Sequence, residues 1–201
     1  SIIDDFSNSV YWRYNREFLV NNISFWSWRL KRTASIIDKL ERIEWFLLSK
    51  MQDIVWMRFV FENISDLYKF MNWIVHNPPD WFLLTKSPTD YIKNPKDDWY
   101  RWIHLIFKSN SWLFLELQLR TKIQHYWATT VEIIDFMENT TLKIWWFDKR
   151  YKKFLIYTSI YFESLEWLNY RKNKRQKSKK EIKLLDQEHK ITLKLQKFNI
   201  Q

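Results

Sequence analysis

The stretch DYIKNPKDDWYRWIHLIFKSNSWLFLELQLRT, Asp90 to Thr121, decides the fold. It opens on a polar loop rich in lysine and aspartate, Lys93 to Asp98, which runs into Tyr100, Arg101 and His104. An apolar run over Ile103–Phe107 leads to the turn-like Ser109-Asn110-Ser111. From Leu113 onward apolar residues alternate with Glu116, Gln118 and Arg120. Alternation with period two is the mark of a strand whose two faces differ. The spacing therefore predicts a β-hairpin whose second strand sets Glu116, Gln118 and Arg120 on one face, because every second side chain of a strand points the same way. A carboxylate, an amide and a guanidinium on one face beside a basic loop suit a phosphate and a metal ion. A solvated outer strand face would carry the same alternation, and spacing alone does not separate the two.

Upstream, Arg29 to Leu48 reads RLKRTASIIDKLERIEWFLL. Ser35 is placed to cap a helix, and Ile36, Leu40, Ile43 and Leu47 recur at helical spacing. A helix start offers free N–H groups and the positive end of its dipole to phosphate. Arg29, Lys31 and Lys39 add charge-assisted donors there. The bland reading is a basic, solvated turn before a surface helix. Next, Lys50-Met51-Gln52-Asp53-Ile54 leads into an apolar strand, Met57–Phe61. Asp53 at the mouth of that strand is the kind of ligand Mg²⁺ takes, one or two carboxylates plus substrate phosphates. A lone Asp before a strand is more often a turn residue.

Taken in order, these motifs resemble the RelA/SpoT family of (p)ppGpp synthetases. The family loop is close to D-Y-I-x-x-P-K-x-x-G-Y-R-x-x-H, followed by E-x-Q-x-R-T. Here it is Asp90-Tyr91-Ile92, Pro95-Lys96, Tyr100-Arg101 and His104, then Glu116-Leu117-Gln118-Leu119-Arg120-Thr121. Gln124-His125-Tyr126-Trp127-Ala128-Thr129 and Val131-Glu132 look like the small, single-domain branch. The resemblance covers residues 29–170 and implies an α+β fold, a mixed, roughly five-stranded sheet flanked by helices and related to nucleotidyltransferases. One departure is Ser87-Pro88-Thr89-Asp90, which stands where the family has R-x-K-D and keeps only the Asp.

The implied reaction moves pyrophosphate from ATP to the 3′-hydroxyl of GDP or GTP. By resemblance Arg29, Lys31, Ser35 and Lys39, with Arg58, hold ATP, and Asp53 and Glu116 bind Mg²⁺. The ion would neutralise charge and align an in-line displacement. Glu116 could also accept the 3′-hydroxyl proton. Tyr100 would stack on guanine, with Lys96, Asp98, His104, Gln118 and Arg120 lining the acceptor site. Two rivals stand beside this. Some small family members pyrophosphorylate the 3′ end of tRNA, and a degenerate nucleotide- or RNA-binding module would keep the fold without the chemistry. Oligomeric state is open, a homo-oligomer included.

Composition sets the outer bounds. The 201 residues are 46% hydrophobic, enough for one domain with a core, and contain no cysteine. The lack of cysteine fits a reducing cytoplasm and offers neither disulfides nor thiolate metal sites. No apolar run approaches the roughly 20 residues that span a bilayer, and the start, SIIDDFSNS, is acidic rather than basic, unlike a secretory signal. Of the net charge of +10, residues 171–201 carry +8 through eleven Lys/Arg against three Asp/Glu. The expected organisation is a synthetase domain over 1–170 and a basic tail over 171–201, which makes tRNA or another nucleic acid a fair partner by charge.

The chain has no glycine and 14 tryptophans, although a chain of this length would ordinarily hold roughly 14 glycines. Trp99, Trp102 and Trp56 stand where the family has glycine or a small residue. Glycine serves such places because it tolerates positive φ and close approach of backbone to ligand. Many of these tryptophans are therefore expected to be glycines in the living protein, as a UGA codon read in the wrong genetic code would produce. Trp127 looks native to the family.

The remaining expectations are structural. Residues 1–28 predict one helix of about 10–15 residues. Ser65 is expected to cap a helix with Leu67, Phe70, Met71, Ile74 and Val75 inward, ended by Asn77-Pro78-Pro79-Asp80. Strands are expected near 56–62, 82–86, 103–108 and 112–119. Lys122–Met137 and Asp148–Tyr170 read as helices, the second with Phe154, Leu155, Tyr157, Tyr161, Leu165 and Leu168 in the core. His125 reads as a packing residue rather than a base. Arg171–Lys180 reads as an exposed charge run, and Ile182–Phe198 as a short helix or strand.

Overall fold

The computed structural model describes residues 1–14, 16–45, 47–96, 100–137 and 149–174. They fall into two units. The first holds residues 1–62, 66–90 and 102–120, and the second holds 63–65, 91–101 and the chain from Thr121 on.

The first unit is built on a mixed six-stranded sheet. In chain order the elements are α1 (Ile2–Arg13), α2 (Arg16–Asn22), β1 (Ile23–Leu30), α3 (Thr33–Arg42), β2 (Val55–Phe61), α4 (Ile64–His76), β3 (Phe82–Leu84), β4 (Thr89–Asp90), β5 (Ile103–Ser109) and β6 (Phe114–Thr121). Across the sheet the order is β1-β2-β6-β5-β3, and β4 also pairs with β5. The β5–β6 hairpin is antiparallel in the register Ile103↔Leu119 to Lys108↔Phe114. Its alternation carries the fold: Leu115, Leu117 and Leu119 have no exposed surface. On the opposite face Glu116 and Arg120 are buried too, so this is not the solvated outer face that spacing left open. Aromatic rings fill the core. Phe6 meets Phe82 and Phe107 edge to face at 5.0 and 5.1 Å, and Phe70 lies 5.4 Å from both Phe59 and Phe61. Such pairs add modestly to the area they bury.

Five expectations need correcting. Within 1–28 the expected helix of about 10–15 residues is present as the 12-residue α1, but a second helix follows it and then β1, an edge strand paired with β2 from Ile23↔Phe61 to Leu30↔Val55. Cross-strand pairing with Val55–Phe61 overrides any helical reading of Ile23–Leu30, whose Ile, Phe and Trp suit a pleated surface. Arg29 therefore sits on a strand, not at a helix start. Ser35 is the third residue of α3 rather than its cap. Arg32 occupies the cap position and makes no side-chain cap bond. That helix ends at Arg42, where Ile43 turns extended, so Ile43 and Leu47 lie outside it. Ser65 likewise lies within the first turn of α4, whose Leu67, Phe70 and Ile74 are buried while Met71 and Val75 are half-buried.

Among the described residues every positive φ belongs to a tryptophan: Trp45 at 62°, Trp81 at 68° and Trp112 at 65°. All three side chains stand in solvent, 91%, 73% and 75% exposed. Trp112 closes the β5–β6 turn, where its N–H donates to Ser109 O and the Ser109 N–H donates to Leu113 O, both at 2.9 Å. Trp81 is the third residue of a turn closed by the Phe82 N–H on Pro79 O at 3.1 Å. Both are places that hairpins and turns give to glycine. A residue with a Cβ there costs roughly 1–2 kcal/mol.

The second unit contains α5 (Lys122–Met137) and α6 (Lys149–Lys174). Thr121 and Gln124 form a reciprocal cap at the start of α5: the Thr121 N–H donates to Gln124 Oε1 at 3.1 Å and the Gln124 N–H to Thr121 Oγ1 at 3.3 Å. The buried Trp127 donates its indole N–H to Leu155 O of α6 at 3.0 Å. Leu155 and Leu168 are buried, whereas Phe154 is exposed. His125 is half-buried on α5. The α6 helix continues through Lys174, and Asp148, the rest of the charge run and the Ile182–Phe198 reading lie outside the described residues. No helix among the described residues is long and apolar enough to cross a membrane.

Candidate active site

Within the first unit, the end of β1, the start of β2 and the middle of β6 bring the predicted donor and metal residues together. The chain leaves β1 at Lys31, whose N–H is held by Ile54 O at 2.8 Å. That bond sets Lys31 beside Asp53. The Lys31 ammonium lies 2.6 Å from Asp53 Oδ2, and the Lys39 ammonium, from α3, lies 2.9 Å from Asp53 Oδ1. Partial burial would raise the Asp53 pKa, but the hydrogen bonds and then the charges of Lys31 and Lys39 outweigh it and hold the carboxyl below its ordinary range. Ser35 is exposed in the first turn of the same helix.

Along β6 the polar face is wired together. Glu116 Oε1 accepts from Gln118 Nε2 at 2.7 Å and lies 2.9 Å from His104 Nδ1 on β5. Gln118 Oε1 accepts from Arg120 at 3.1 Å and from Arg58 of β2 at 3.3 and 3.4 Å. Burial pushes the Glu116 pKa up, and the His104 and Gln118 contacts more than offset it, so the carboxyl stays ionised below its ordinary value. The Asp53 charge opposes that lowering. The two carboxylates therefore act on one another electrostatically. Among the described residues no three His, Cys, Asp or Glu side chains converge. An ion held by Asp53 and Glu116 would complete its shell from substrate oxygen and water, which suits Mg²⁺.

Two tryptophans shape this face. Trp56, opposite Arg29 in the β1–β2 register, has the Arg29 and Arg58 guanidinium groups 4.9 and 4.6 Å from its ring. The buried Trp102 stacks on His104 and meets its Nε2 through the indole N–H, with the Arg120 guanidinium 3.4 Å from its ring. Asp90, the remnant of the departed signature, accepts from the Tyr68 hydroxyl at 3.0 Å.

The second unit carries Lys96 and Tyr100. The Lys96 ammonium lies 4.6 Å from the Tyr91 ring centre and 4.8 Å from that of Tyr100, and the two rings meet edge to face at 6.0 Å. Asp98 lies outside the described residues. The sequence reading missed Tyr91 as the partner of Lys96, although its place in the D-Y-I motif was a signal. It also missed Glu163, which pairs with Arg101 and carries no signal in its own neighbourhood.

Residues 28–138 match the model for the region found in RelA / SpoT proteins. GTP pyrophosphokinase YwaC of Bacillus subtilis (strain 168) is 29% identical over 113 residues, which cover 50% of this chain and 52% of that protein. Probable GTP diphosphokinase RSH2, chloroplastic, of Arabidopsis thaliana is 30% identical over 100 residues, covering 50% of this chain and 14% of that protein. The chain thus spans about half, or less, of the curated relatives it matches. Small alarmone synthetase 2 from Bacillus subtilis superposes with a TM-score of 0.71 at 23% identity, covering 87% of this chain and 94% of that one. Small alarmone synthetase 1 from the same organism, bound to its product pppGpp, gives 0.66 at 20% identity over 88% and 89%. These two show the fold, and the matched region takes in more than half of the chain: it belongs to the RelA/SpoT family.

Proposed function

We propose that this chain is a GTP pyrophosphokinase that moves pyrophosphate from ATP to the 3′-hydroxyl of GDP or GTP. The observation that carries this reading is Asp53, gripped by Lys31 and Lys39 and within electrostatic reach of Glu116. A basic cluster wrapped around one carboxylate, with a second nearby, suits a triphosphate arriving with Mg²⁺. When bound, the ion would neutralise phosphate charge and align the displacement. Lys31 and Lys39 exchange Asp53 for phosphate oxygens, with Arg29, Arg58 and the uncapped first turn of α3 at Ser35 adding donors. Glu116, ionised and hydrogen-bonded, takes the 3′-hydroxyl proton as that oxygen attacks the β-phosphorus. The bond between the α-phosphate oxygen and the β-phosphorus breaks, and AMP leaves. His104 and Gln118 hold Glu116 in place, Arg120 steadies Gln118, and Lys96, Asp98 and Tyr100 take the guanine nucleotide. The work belongs in the cytoplasm, where both substrates are abundant.

The second reading keeps this chemistry and changes the acceptor to the 3′ end of tRNA. It draws on the +8 carried by residues 171–201. One experiment separates them: incubation with β-labelled or γ-labelled ATP and Mg²⁺ in the presence of GDP, GTP or tRNA. Label from both positions on a guanine nucleotide supports the first reading. Label on tRNA alone replaces it with the second, and label on neither removes both.

A further inference from the structure

Arg101 follows Tyr100 in the chain, and no step of the proposed reaction uses it. Its side chain is only 3% exposed, and a buried guanidinium is costly unless its donors are met. Nη2 donates to the carbonyl of Ile92 at 3.1 Å, bridging the two ends of the loop 92–101. Nη1 makes an ion pair with Glu163 of α6, although Nε and Nη1 find no hydrogen-bond partner among the described residues, so the pairing charge is what offsets their burial. One helical turn further on, buried Glu166 accepts from the Thr121 hydroxyl and from Gln124 Nε2, the residues that cap α5. The planar fork of arginine reaches a carbonyl and a carboxylate at once, which a lysine ammonium on a single stem does less well. Within the loop, Lys96 lies against Tyr91 and Tyr100. The loop is therefore pinned at its foot, and Lys96 is held between its two tyrosines.

We infer that Arg101 and Glu163 are positioning residues. They strap the loop bearing Lys96 and Tyr100 to α6 and so set the affinity for the guanine acceptor. This rests on the reading of Tyr100 as the guanine-stacking residue. The strap itself does not.

The test uses the full chain with Glu163→Gln and Arg101→Lys. Glu163 is partly exposed, so its neutral isostere spares the fold if removal of the guanidinium does not. Two readouts are taken: KM for GDP and for ATP together with kcat, and hydrogen exchange of the segment 91–101 against strands 103–121. The expected result is a KM for GDP raised about tenfold in Glu163→Gln, as small misplacements of binding groups produce. The KM for ATP and kcat should stay within about twofold of wild type. Exchange should quicken over 91–101 and stay protected in the strands. Unchanged exchange over 91–101 in both variants overturns the strap, whatever the acceptor is. Faster exchange with an unchanged KM for GDP overturns its link to guanine affinity. Wild-type protein that takes no guanine nucleotide overturns the acceptor reading, and the exchange data then decide the strap alone.

Discussion

Asp53→Asn should make the protein bind ATP more tightly in the absence of metal while it destroys turnover in its presence. The geometry supplies the sign. Each Asp53 oxygen is paired with a lysine, at 2.6 and 2.9 Å, and the three side chains are 22–26% exposed. At an effective dielectric of 20, unit charges 4 Å apart attract by about 4 kcal/mol. Desolvation and side-chain ordering cancel most of that, and exposed pairs measure about 0.2–1 kcal/mol. These half-buried pairs sit near the top of that range, about 1 kcal/mol each. The amide removes both and leaves two ammonium groups converging on a neutral oxygen. Stability should fall by about 2 kcal/mol, and at 2–4 °C per kcal/mol for a chain of this size the melting point drops by about 4–8 °C. Phosphate would then recruit two lysines that have no competing anion, tightening ATP by about fivefold per kcal/mol no longer spent on separating them. With Mg²⁺, loss of one of two carboxylate ligands should lower kcat by at least about 10²-fold. Thermal melts, calorimetric titration of ATP in EDTA, and turnover with Mg²⁺ read the three effects. A variant that melts like wild type and binds ATP more weakly in EDTA refutes the reasoning, because Lys31 and Lys39 would not then be traded between Asp53 and phosphate.

Lys39→Ala should weaken ATP far more than GDP, since Lys39 sits on the Asp53 cluster; isothermal titration of each nucleotide decides, and equal losses argue against separate donor and acceptor sites. Trp112→Gly should stabilise the protein by about 1 kcal/mol by relieving a left-handed residue, seen as a higher melting point. A lower one would show that the Lys108 ammonium, 3.7 Å from the Trp112 ring, matters more; the intact mass of protein from its native host tells independently whether glycine stands there. Burial raises the Glu166 pKa above its ordinary value of 4.5. The folded state therefore holds the extra proton, and the stability this one group contributes is fullest below pH 4.5 and declines as pH rises toward the folded pKa. Glu166→Gln should flatten that decline in melts taken from pH 4 upward, and an unaltered slope would rule the group out. Truncation after Tyr170 should spare GDP and GTP transfer, whereas a tRNA activity would be lost and would be steeply salt-dependent before truncation.

The β5–β6 hairpin was legible from Ile103–Thr121 because its information is local. Period two, a polar turn and one repeating polar face need no knowledge of the rest of the chain. The start of α5 at Lys122 was expected as well, and the structure shows a Thr121–Gln124 cap within one turn of helix fixing it there. Element ends were harder. Ile43 continues a helical spacing, yet its backbone is extended, and Ser35 has a capping side chain while Arg32 holds the cap position. Neither choice is made by the residue alone.

Sequence by itself therefore determined the α+β class, the identity of the polar face on β6 and the chemical types gathered around it. Tertiary structure alone decided that Ile23–Leu30 is an edge strand, since only its ladder with β2 distinguishes it from the helices before it. It alone joined Lys31 and Lys39 to Asp53 across 22 and 14 residues, and Arg101 to Glu163 of α6. These pairings exist because closing long loops brings charges into partial burial, where an unmet carboxylate is costly and a nearby ammonium or guanidinium lowers that cost. Periodicity records what each residue does to its own segment, and it holds no record of which distant charge will stand opposite.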